Sequence, residues 1–320
     1  MIEMLYPAVA ILAGFMMLIW SADRFVIGAA GTAKNLGMSP MLIGLTVVSL
    51  GTSAPEMLVS SIAAYNDAGG LAIGNVLGSN IANIGLVLGA TALIAPLPVK
   101  SGLMRKELPL LIGVTAAAGI LLIDGHLGLI DGFILLAGLA ICLYLFARFQ
   151  RYADPAEVEH EEEELPDIDL KPAIAWVIIG LILLAGSSRL LVWGATEIAL
   201  QLGVSDLVIG LTIVAIGTSL PELAASIASA LKGHHDIAIG NVIGSNIFNL
   251  LAVLPLPALI QPFEFESVVM WRDYSVMMAF TLAVLFFAHI TSKGTINRIE
   301  AIALLAGYSA YLGLLYNMAT

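Results

Sequence analysis

The chain contains one stretch twice, and this repetition constrains the fold more than any other feature of the sequence. Residues 44–56 read GLTVVSLGTSAPE and residues 210–222 read GLTIVAIGTSLPE, so 9 of 13 positions are identical at an offset of 166. The same offset relates IGNVLGSNIAN (73–83) to IGNVIGSNIFN (239–249), with 9 of 11 identical. It also aligns four single positions: Pro96 with Pro262, Lys106 with Arg272, Glu107 with Asp273, and Gly128 with Gly294.

The composition indicates that both copies lie in a membrane. Of 320 residues, 59% are hydrophobic and only 12% are charged, and the mean hydropathy is +0.98. This excludes a soluble domain and indicates an all-α polytopic membrane protein, because apolar runs of roughly 20 residues cross a bilayer as helices. We predict ten transmembrane helices, at about 5–31, 41–65, 71–94, 107–123, 131–148, 173–200, 206–230, 237–260, 273–290 and 299–317.

Each copy holds five spans, and this odd number sets their relative orientation. The second copy must enter the bilayer from the opposite side, which gives two inverted five-helix repeats, as in many secondary transporters. With the N-terminus outside, the inward segments hold ten Lys and Arg residues and the outward segments only Arg272. Positive charge collects in cytoplasmic segments. We therefore predict both termini outside, with halves at 1–150 and 173–320.

Residues 151–172 form the connection between the halves, and they carry most of the acidity. Nine Asp and Glu residues lie between Asp154 and Asp169, so the net charge of −11 falls to −2 without them (−11 + 9). Nine like charges repel one another and favour an extended, solvated chain. We predict an acidic, disordered cytoplasmic linker that is too short to hold a folded domain.

Two carboxylates stand near the middle of predicted spans 2 and 7. Glu56 and Glu222 each follow a proline directly. A proline inside a helix removes one backbone hydrogen bond and breaks or kinks the helix. Carboxylates at membrane depth are costly and mark functional sites. We therefore predict that helices 2 and 7 are broken, and that the freed carbonyls of Gly51 and Gly217 point at one place with the two carboxylates.

Spans 3 and 8 add polar side chains at helical spacing. Asn75, Ser79 and Asn83 share one helix face, and Asn241, Ser245 and Asn249 share the equivalent face. Oxygen atoms from such residues suit a hard cation, and these stretches contain no Cys or His for softer metals. Two carboxylates balance one divalent or two monovalent cations, so the residues favour a site for Ca²⁺ and Na⁺.

Other polar and small residues in the spans have simpler interpretations. The Gly-x-x-x-Gly patterns are typical of helix packing, and we interpret Asn80 and Asn246, which lie off the polar faces, as packing residues. Asp23 and Arg24 lie within span 1, where snorkelling or local pairing is expected and a gating salt bridge is the alternative.

At these residues the sequence resembles the calcium/cation antiporter superfamily, which includes the sodium/calcium exchangers. The likeness covers nearly the whole chain, rests on GTSxPE in spans 2 and 7 and GNxxGSN in spans 3 and 8, and is strongest to prokaryotic members. It implies a core of spans 2–5 and 7–10, with spans 1 and 6 sliding across it to alternate access. Neither ATP nor a cofactor is implied.

The resemblance also implies roles for individual residues. Glu56 and Glu222 would bind Ca²⁺ with Thr52 and Thr218. The flanking Na⁺ sites would be lined by four serines and two backbone oxygens, and two amides would complete the centre. These residues are Ser53, Ser219, Ser79 and Ser245, the carbonyls of Ser49 and Ala215, and Asn83 and Asn249.

One position differs from part of the superfamily. Potassium-dependent exchangers carry Asp where this chain has Asn249, so K⁺ co-transport is less expected here. Proton-driven calcium exchangers carry GNxxE in place of GTSxPE, which makes protons the second choice of driving ion.

The function expected is an inner-membrane antiporter of a prokaryote that exchanges Ca²⁺ for Na⁺. A proton-coupled cation antiporter is the alternative, followed by a cation channel, which would not need a site closed on alternate sides. A membrane enzyme would need a nucleophile or metal triad that the motifs do not contain. We expect the lipid bilayer, but neither nucleic acid nor an obligate protein, as partner.

Overall fold

A computed structural model of the chain describes residues 2–99, 106–151, 165–203, 213, 215–288 and 294–319. Most of these residues are helical, as predicted. The first half contains α1 (Ile2–Leu36), α2 (Pro40–Thr52), α3 (Ala54–Tyr65), α4 (Gly69–Ile94), β1 (Leu97–Pro98), α5 (Glu107–Leu122), β2 (His126–Leu127) and α6 (Leu129–Arg151). The second contains α7 (Leu170–Gln201), α8 (Ala215–Thr218), α9 (Leu220–Leu231), α10 (His235–Ile260), β3 (Phe263–Glu264), α11 (Val269–Phe286), β4 (Thr295–Ile296) and α12 (Arg298–Ala319).

The described helices support a multi-pass membrane protein. Seven are long and apolar enough to cross a membrane, and the bent pair α2–α3 makes eight. Predicted span 4 corresponds to α5, which is shorter, and predicted span 7 corresponds to α8 and α9, with residues 204–212 and 214 outside the described part. The ten-span topology therefore stays a prediction.

The two longest helices, α1 and α7, pack against each other in opposite directions. A Cβ atom at Gly28 of α1 would lie 2.7 Å from the Ala173 carbonyl and 2.7 Å from the Val177 nitrogen of α7. At the equivalent Gly194, a Cβ would lie 2.7 Å from the carbonyl of Pro7, which is the counterpart of Ala173. The same contact thus forms twice, as expected when two copies are related by a two-fold axis.

Two short β-ribbons, which the sequence pattern did not predict, tie the halves together. β1 pairs antiparallel with β4, and β2 pairs antiparallel with β3. Each ribbon therefore takes one strand from each half. The exchange is reciprocal, because β1 and β3 are equivalent at the offset of 166.

The proposed alignment of Gly128 with Gly294 is wrong. Gly294 has a φ of +98°, and its structural counterpart is Gly125, with a φ of +76°. Both glycines precede a ribbon strand, β4 and β2 respectively, so this region is related by an offset of 169. Three additional residues in the second half shift the register after the fourth span of each copy.

The core lies around α4 and α10. In the most apolar stretch of α10 every residue is buried, and in that of α4 72% of the residues are buried. In the corresponding stretch of α1 only 28% of the residues are buried. A second, smaller apolar cluster lies between α1, α7 and the segments around α2 and α9. The motif-bearing helices therefore form the centre of the molecule, and α1 and α7 lie at its side.

The linker is described only at its end, and there it is packed. Residues 152–164, where most of the predicted disorder falls, lie outside the described part. Leu165 is buried, and the Ile168 carbonyl accepts a hydrogen bond of 2.7 Å from the Asn35 amide. Lys34 pairs with Asp167 at 3.4 Å. The prediction of a disordered linker is therefore wrong at Leu165 and Ile168, which contact the end of α1, whereas Asp167 and Asp169 are exposed to solvent as predicted.

The charged residues of α1 form specific contacts. Asp23 pairs with Lys232, which follows α9, at 2.6 Å. The Arg24 guanidinium lies 5.8 Å from the ring centroid of Trp20 and 5.4 Å from that of Trp176, distances typical of cation–π contacts. The predicted local pairing is therefore present for Arg24, through Trp20, whereas Asp23 pairs across the halves with Lys232.

The close contact of α1 with α7 predicts the effect of one methyl group. Gly28→Ala should lower stability by about 1–3 kcal/mol, because the new Cβ meets backbone atoms that cannot turn aside. Thermal unfolding of the purified protein in detergent measures this. Gly313→Ala is the control, since Gly313 is an exposed helical residue where the added methyl group would meet no neighbouring atom within 4 Å. Equal unfolding temperatures for the two variants would contradict the packing.

Candidate cation-binding site

The predicted helix breaks are present in both halves. Ser53 separates α2 from α3 with φ −80° and ψ 2°, and Ser219 separates α8 from α9 with φ −89° and ψ 4°. The axes of α2 and α3 differ by 42°. Pro55 and Pro221 occupy the second position of the following helices, where a missing N–H costs little. Each proline therefore prevents the preceding helix from continuing and lies in the first turn of the following helix.

At each break a serine and a glutamate have the spacing of a helix-capping motif, but the serine does not cap the helix. Ser53 and Glu56 have the spacing of a capping box, in which a serine hydroxyl at the N-cap bonds the first turn of the helix. Neither Ser53 nor its counterpart Ser219 makes a side-chain cap. The Ser53 hydroxyl is buried and has no hydrogen-bond partner among the described residues. This hydroxyl is therefore available to a ligand.

The two carboxylates belong to one centre. Glu56 and Glu222 are each 1% exposed and lie in the first turns of α3 and α9. They interact electrostatically with each other, and the Thr52 hydroxyl contacts the Glu222 carboxylate. One oxygen of each, Oε2, has no hydrogen-bond partner in the described part of the chain. Helix N-termini favour negative charge, so both carboxylates lie where the backbone supports their ionised form.

Thr52 connects the halves at this centre. Its hydroxyl lies 3.2 Å from Oδ1 of Asn241 and 3.5 Å from Oγ of Ser245, both on α10. The hydroxyl also lies 3.3 Å from the Ser49 carbonyl, which accepts the Ser53 N–H at 3.0 Å as well. Thr52 therefore holds the break of the first half against the polar face of the second half.

The first asparagine of each polar face supports a break. Asn75 donates to the Ser60 hydroxyl at 2.9 Å and to the Glu56 carbonyl at 3.4 Å. Asn241 repeats this with Ser226 at 2.9 Å and with the Glu222 carbonyl at 3.2 Å. The sequence grouped these asparagines with the ligand oxygens, and it missed the two serines. The signal was available, because Ser60 and Ser226 are also related by the offset of 166.

The remaining members of the polar faces are buried. Asn83 and Asn249 are each 1% exposed and begin π-helical turns, Asn83–Leu88 and Asn249–Val253. Such turns are frequent at functional sites. Both amide atoms of Asn83 and Oδ1 of Asn249 have no hydrogen-bond partner among the described residues. Ser79 and Ser245 are also buried.

The freed carbonyls do not both point at the centre. The Gly217 carbonyl accepts a hydrogen bond of 2.6 Å from the Ser188 hydroxyl of α7. The position equivalent to Ser188 is Ala22, which has no hydroxyl to offer Gly51. The prediction for Gly217 is therefore wrong, because a neighbouring helix supplies a donor that span 7 alone does not reveal.

The other predicted residues lie on the same broken segments. Ala215 begins α8 and Thr218 ends it. Ser219 follows Thr218 and precedes α9. Asn80 and Asn246, predicted to pack, are each 1% exposed, and all four of their amide atoms have no hydrogen-bond partner in the described regions. Buried amides without partners are costly, so apolar packing alone does not account for these two residues.

The centre is rich in neutral oxygens. In the residues that the structure describes, no group of three or more His, Cys, Asp or Glu side chains forms a metal site. Two carboxylates, several hydroxyls and amide oxygens remain, and many of them lack protein partners. Buried polar atoms without partners indicate that an ion or water satisfies them. The arrangement fits a hard cation bound between the halves.

Comparisons with known proteins give matches along nearly the whole chain. A family model described as sodium/calcium exchanger protein matches residues 6–148 and 172–317. The chain is 48% identical over 318 residues to the putative antiporter CaxA of Alkalimonas amylolytica, covering 98% of this chain and 100% of that protein. It is 41% identical over 320 residues to the inner membrane protein YrbG of Escherichia coli, covering 98% of each.

A solved structure is similar along nearly the whole chain. The sodium-calcium exchanger NCX_Mj, soaked with 2.5 mM Na⁺ and 0.1 mM Ca²⁺, superposes with a TM-score of 0.82 at 35% identity. The match covers 97% of this chain and 98% of that one.

Because Ser53 does not cap α3, replacing it with alanine should have a different effect from replacing Ser39, which caps α2. Ser53→Ala should leave stability without cations nearly unchanged, because its hydroxyl bonds no backbone N–H. It should reduce the rise in unfolding temperature that Na⁺ produces. Ser39→Ala is the control, because Ser39 accepts the Leu42 N–H at 3.2 Å, so its loss should cost about 1 kcal/mol and leave the Na⁺ effect intact. If Ser53→Ala behaved like Ser39→Ala, Ser53 would be only a cap.

Proposed function

Because the chain belongs to the sodium/calcium exchanger protein family, we propose that it is a secondary active antiporter that exchanges Ca²⁺ for Na⁺ by alternating access. One observation carries the proposal. The carboxylates of Glu56 and Glu222 lie at the starts of two half-helices, one from each half, and interact in a single buried centre. A centre shared by two halves can open to either side as they move.

The charge and the ligands of the centre support these substrates. Two carboxylates balance one Ca²⁺ or two Na⁺, so the two loads compete for the same negative charge. Ca²⁺ accepts about 6–8 oxygen ligands in flexible geometry, whereas Mg²⁺ requires a tighter octahedron and keeps its water. We propose that Glu56, Glu222, Thr52 and Thr218 bind Ca²⁺. The proposed Na⁺ ligands are Ser53, Ser219, Ser79, Ser245 and the carbonyls of Ser49 and Ala215, with Asn83 and Asn249 completing the centre.

The sidedness of the protein is part of the proposal. We propose ten spans in two inverted repeats, with both termini outside and the linker in the cytoplasm of a prokaryotic cell. The ribbons support this arrangement, because β1 and β4 lie in segments assigned to the cytoplasm and β2 and β3 in segments assigned to the outside. The hydrogen bond between Gln261 and Asp67 joins two outside segments in the same way.

The position of α1 and α7 supports their movement. They pack closely on each other through glycines, and their apolar cluster is separate from the larger core around α4 and α10. A pair of helices that packs mainly on itself can slide across a core without unpacking it. We propose that this sliding alternates access to the centre.

The driving ion can be tested directly. Everted membrane vesicles should take up ⁴⁵Ca²⁺ when Na⁺ is loaded inside, because outward Na⁺ flow then drives Ca²⁺ inward. Replacement of internal Na⁺ by choline should abolish uptake, and K⁺ should not be needed, since Asn249 is neutral. Uptake that follows a pH gradient and ignores Na⁺ would establish the proton-coupled alternative, and downhill flux without any counter-ion would establish a channel.

The carboxylates should be essential for transport. Glu56→Gln and Glu222→Gln each keep the size of the side chain and remove one negative charge from the centre, so each should abolish Ca²⁺ uptake while the protein still inserts and purifies. Glu264→Gln is the matched control, because Glu264 is exposed on the β2–β3 ribbon. Its uptake should equal that of the unmodified protein. Normal uptake by either centre variant would refute the assignment.

A further inference from the structure

A cavity of about 630 Å³ lies beside the broken helix of the second half, between α1, α7 and α9. The described residues that line it are almost entirely apolar. They include Ile11, Phe15, Leu191, Gly217, Leu220 and Ala228. The volume is within the usual range of about 300–1,000 Å³ for small-ligand sites. A cavity with this lining suits a hydrocarbon and offers nothing to a hydrated ion.

The cavity is continuous with the surface that faces lipid. Phe15 is 55% exposed, and Leu231, at the end of α9, is 66% exposed. Both residues line the cavity; Phe15 lies on α1, which is long enough to cross a membrane, and Leu231 ends α9, which belongs to predicted span 7. Lipid tails therefore reach the cavity directly, whereas water does not wet so apolar a surface.

The equivalent place in the first half is closed. Leu191 and Val192 are half-buried at the cavity, but their counterparts Phe25 and Val26 are completely buried. Leu181, the counterpart of Phe15, packs directly on Gly51, where a Cβ would lie 2.5–3.2 Å from its side chain. The cavity thus marks a place where the two-fold symmetry fails, and the failure exposes apolar surface that burial would otherwise stabilise.

One end of the cavity carries a charged pair. Lys232 follows Leu231, and Asp23 follows Ala22, so their 2.6 Å ion pair bridges two walls of the cavity. The Lys232 side chain keeps 29% of its surface exposed. An ammonium group has three N–H donors, so Lys232 retains donors for a second anion beside Asp23.

From these features we propose that the cavity binds one acyl chain of a membrane phospholipid, with the phosphate of its headgroup at Lys232. The apolar lining accepts the chain, and the charged end at the close of α9 accepts the headgroup. The bound chain lies against Gly217 and Leu220, which flank Thr218 and Ser219 at the break. Occupation of the cavity therefore supports the geometry of the broken helix from the lipid side.

Photolabelling tests the proposal without relying on transport. The full chain is reconstituted in phosphatidylcholine and phosphatidylglycerol vesicles that contain a trace of phospholipid with a diazirine in one acyl chain. After irradiation, mass spectrometry should find label enriched several-fold on α9 and on the facing part of α1, relative to the exposed surface of α6. Label distributed only according to exposure would overturn the proposal.

Cavity-filling variants provide the matched comparison. Ala228→Phe places a ring in the cavity and should remove the enrichment, whereas Ala140→Phe, on the exposed face of α6, should leave it unchanged. Ala195→Phe fills the cavity from α7 and replaces Ala228→Phe if that variant does not purify as a monodisperse protein. Enrichment that survives a folded cavity-filling variant would overturn the site.

Two further results would assign the cavity to another occupant. Label from a diazirine fatty acid that exceeds label from the phospholipid would show that the headgroup and Lys232 play no part. Crosslinks between two copies through α9, in place of lipid label, would show a protein–protein contact. Lys232→Gln should weaken phospholipid labelling and leave fatty-acid labelling unchanged.

Discussion

The structure depends on the burial of two carboxyl groups, those of Glu56 and Glu222, in the interior of the helix bundle. A carboxylate in an apolar interior loses its hydration, and the loss is offset only by cations, by hydrogen-bond donors and by oriented backbone dipoles. Glu56 and Glu222 have all three kinds of compensation within reach. They start half-helices, Thr52 contacts Glu222, and their free oxygens share one centre that suits a cation.

The surrounding helices are arranged to keep this centre polar yet closed to lipid. The breaks at Ser53 and Ser219 would expose backbone groups in an unprotected helix, so the most buried helices, α4 and α10, enclose them. Asn75 and Asn241 bond the carbonyls of the two glutamates and hold each break in place. Polar residues are therefore concentrated where the backbone is irregular, and apolar residues cover the remainder.

Most of these contacts occur in both halves, and a few occur in only one of them. The contacts of α1 with α7, the ribbons and the asparagine–serine pairs occur twice. Ser188 holds the Gly217 carbonyl, but its counterpart Ala22 has no hydroxyl. An apolar cavity lies beside the break of the second half, whereas Leu181 packs directly on Gly51 in the first half. Two halves that were identical in structure would open equally to both sides. The difference in packing fits the proposed alternating access, whereas the difference between Ser188 and Ala22 belongs to the sequence and is present in every state.

The sequence by itself determined the membrane class, the repeat, the helix breaks and the identity of the polar residues. These follow from local rules: apolar runs of sufficient length, a proline after two hydroxyl residues, and polar spacing along a helix. Only the tertiary structure decided which of those residues meet. In the structure Asn75 and Asn241 support the breaks, whereas Asn83 and Asn249 have unpaired amide atoms. The Gly217 carbonyl accepts a hydrogen bond from Ser188. The tertiary structure also paired the strands across the halves and bound the end of the linker to α1. These outcomes depend on how helices distant in the chain pack together, and a pattern read along one helix contains no information about the donor that a neighbouring helix supplies.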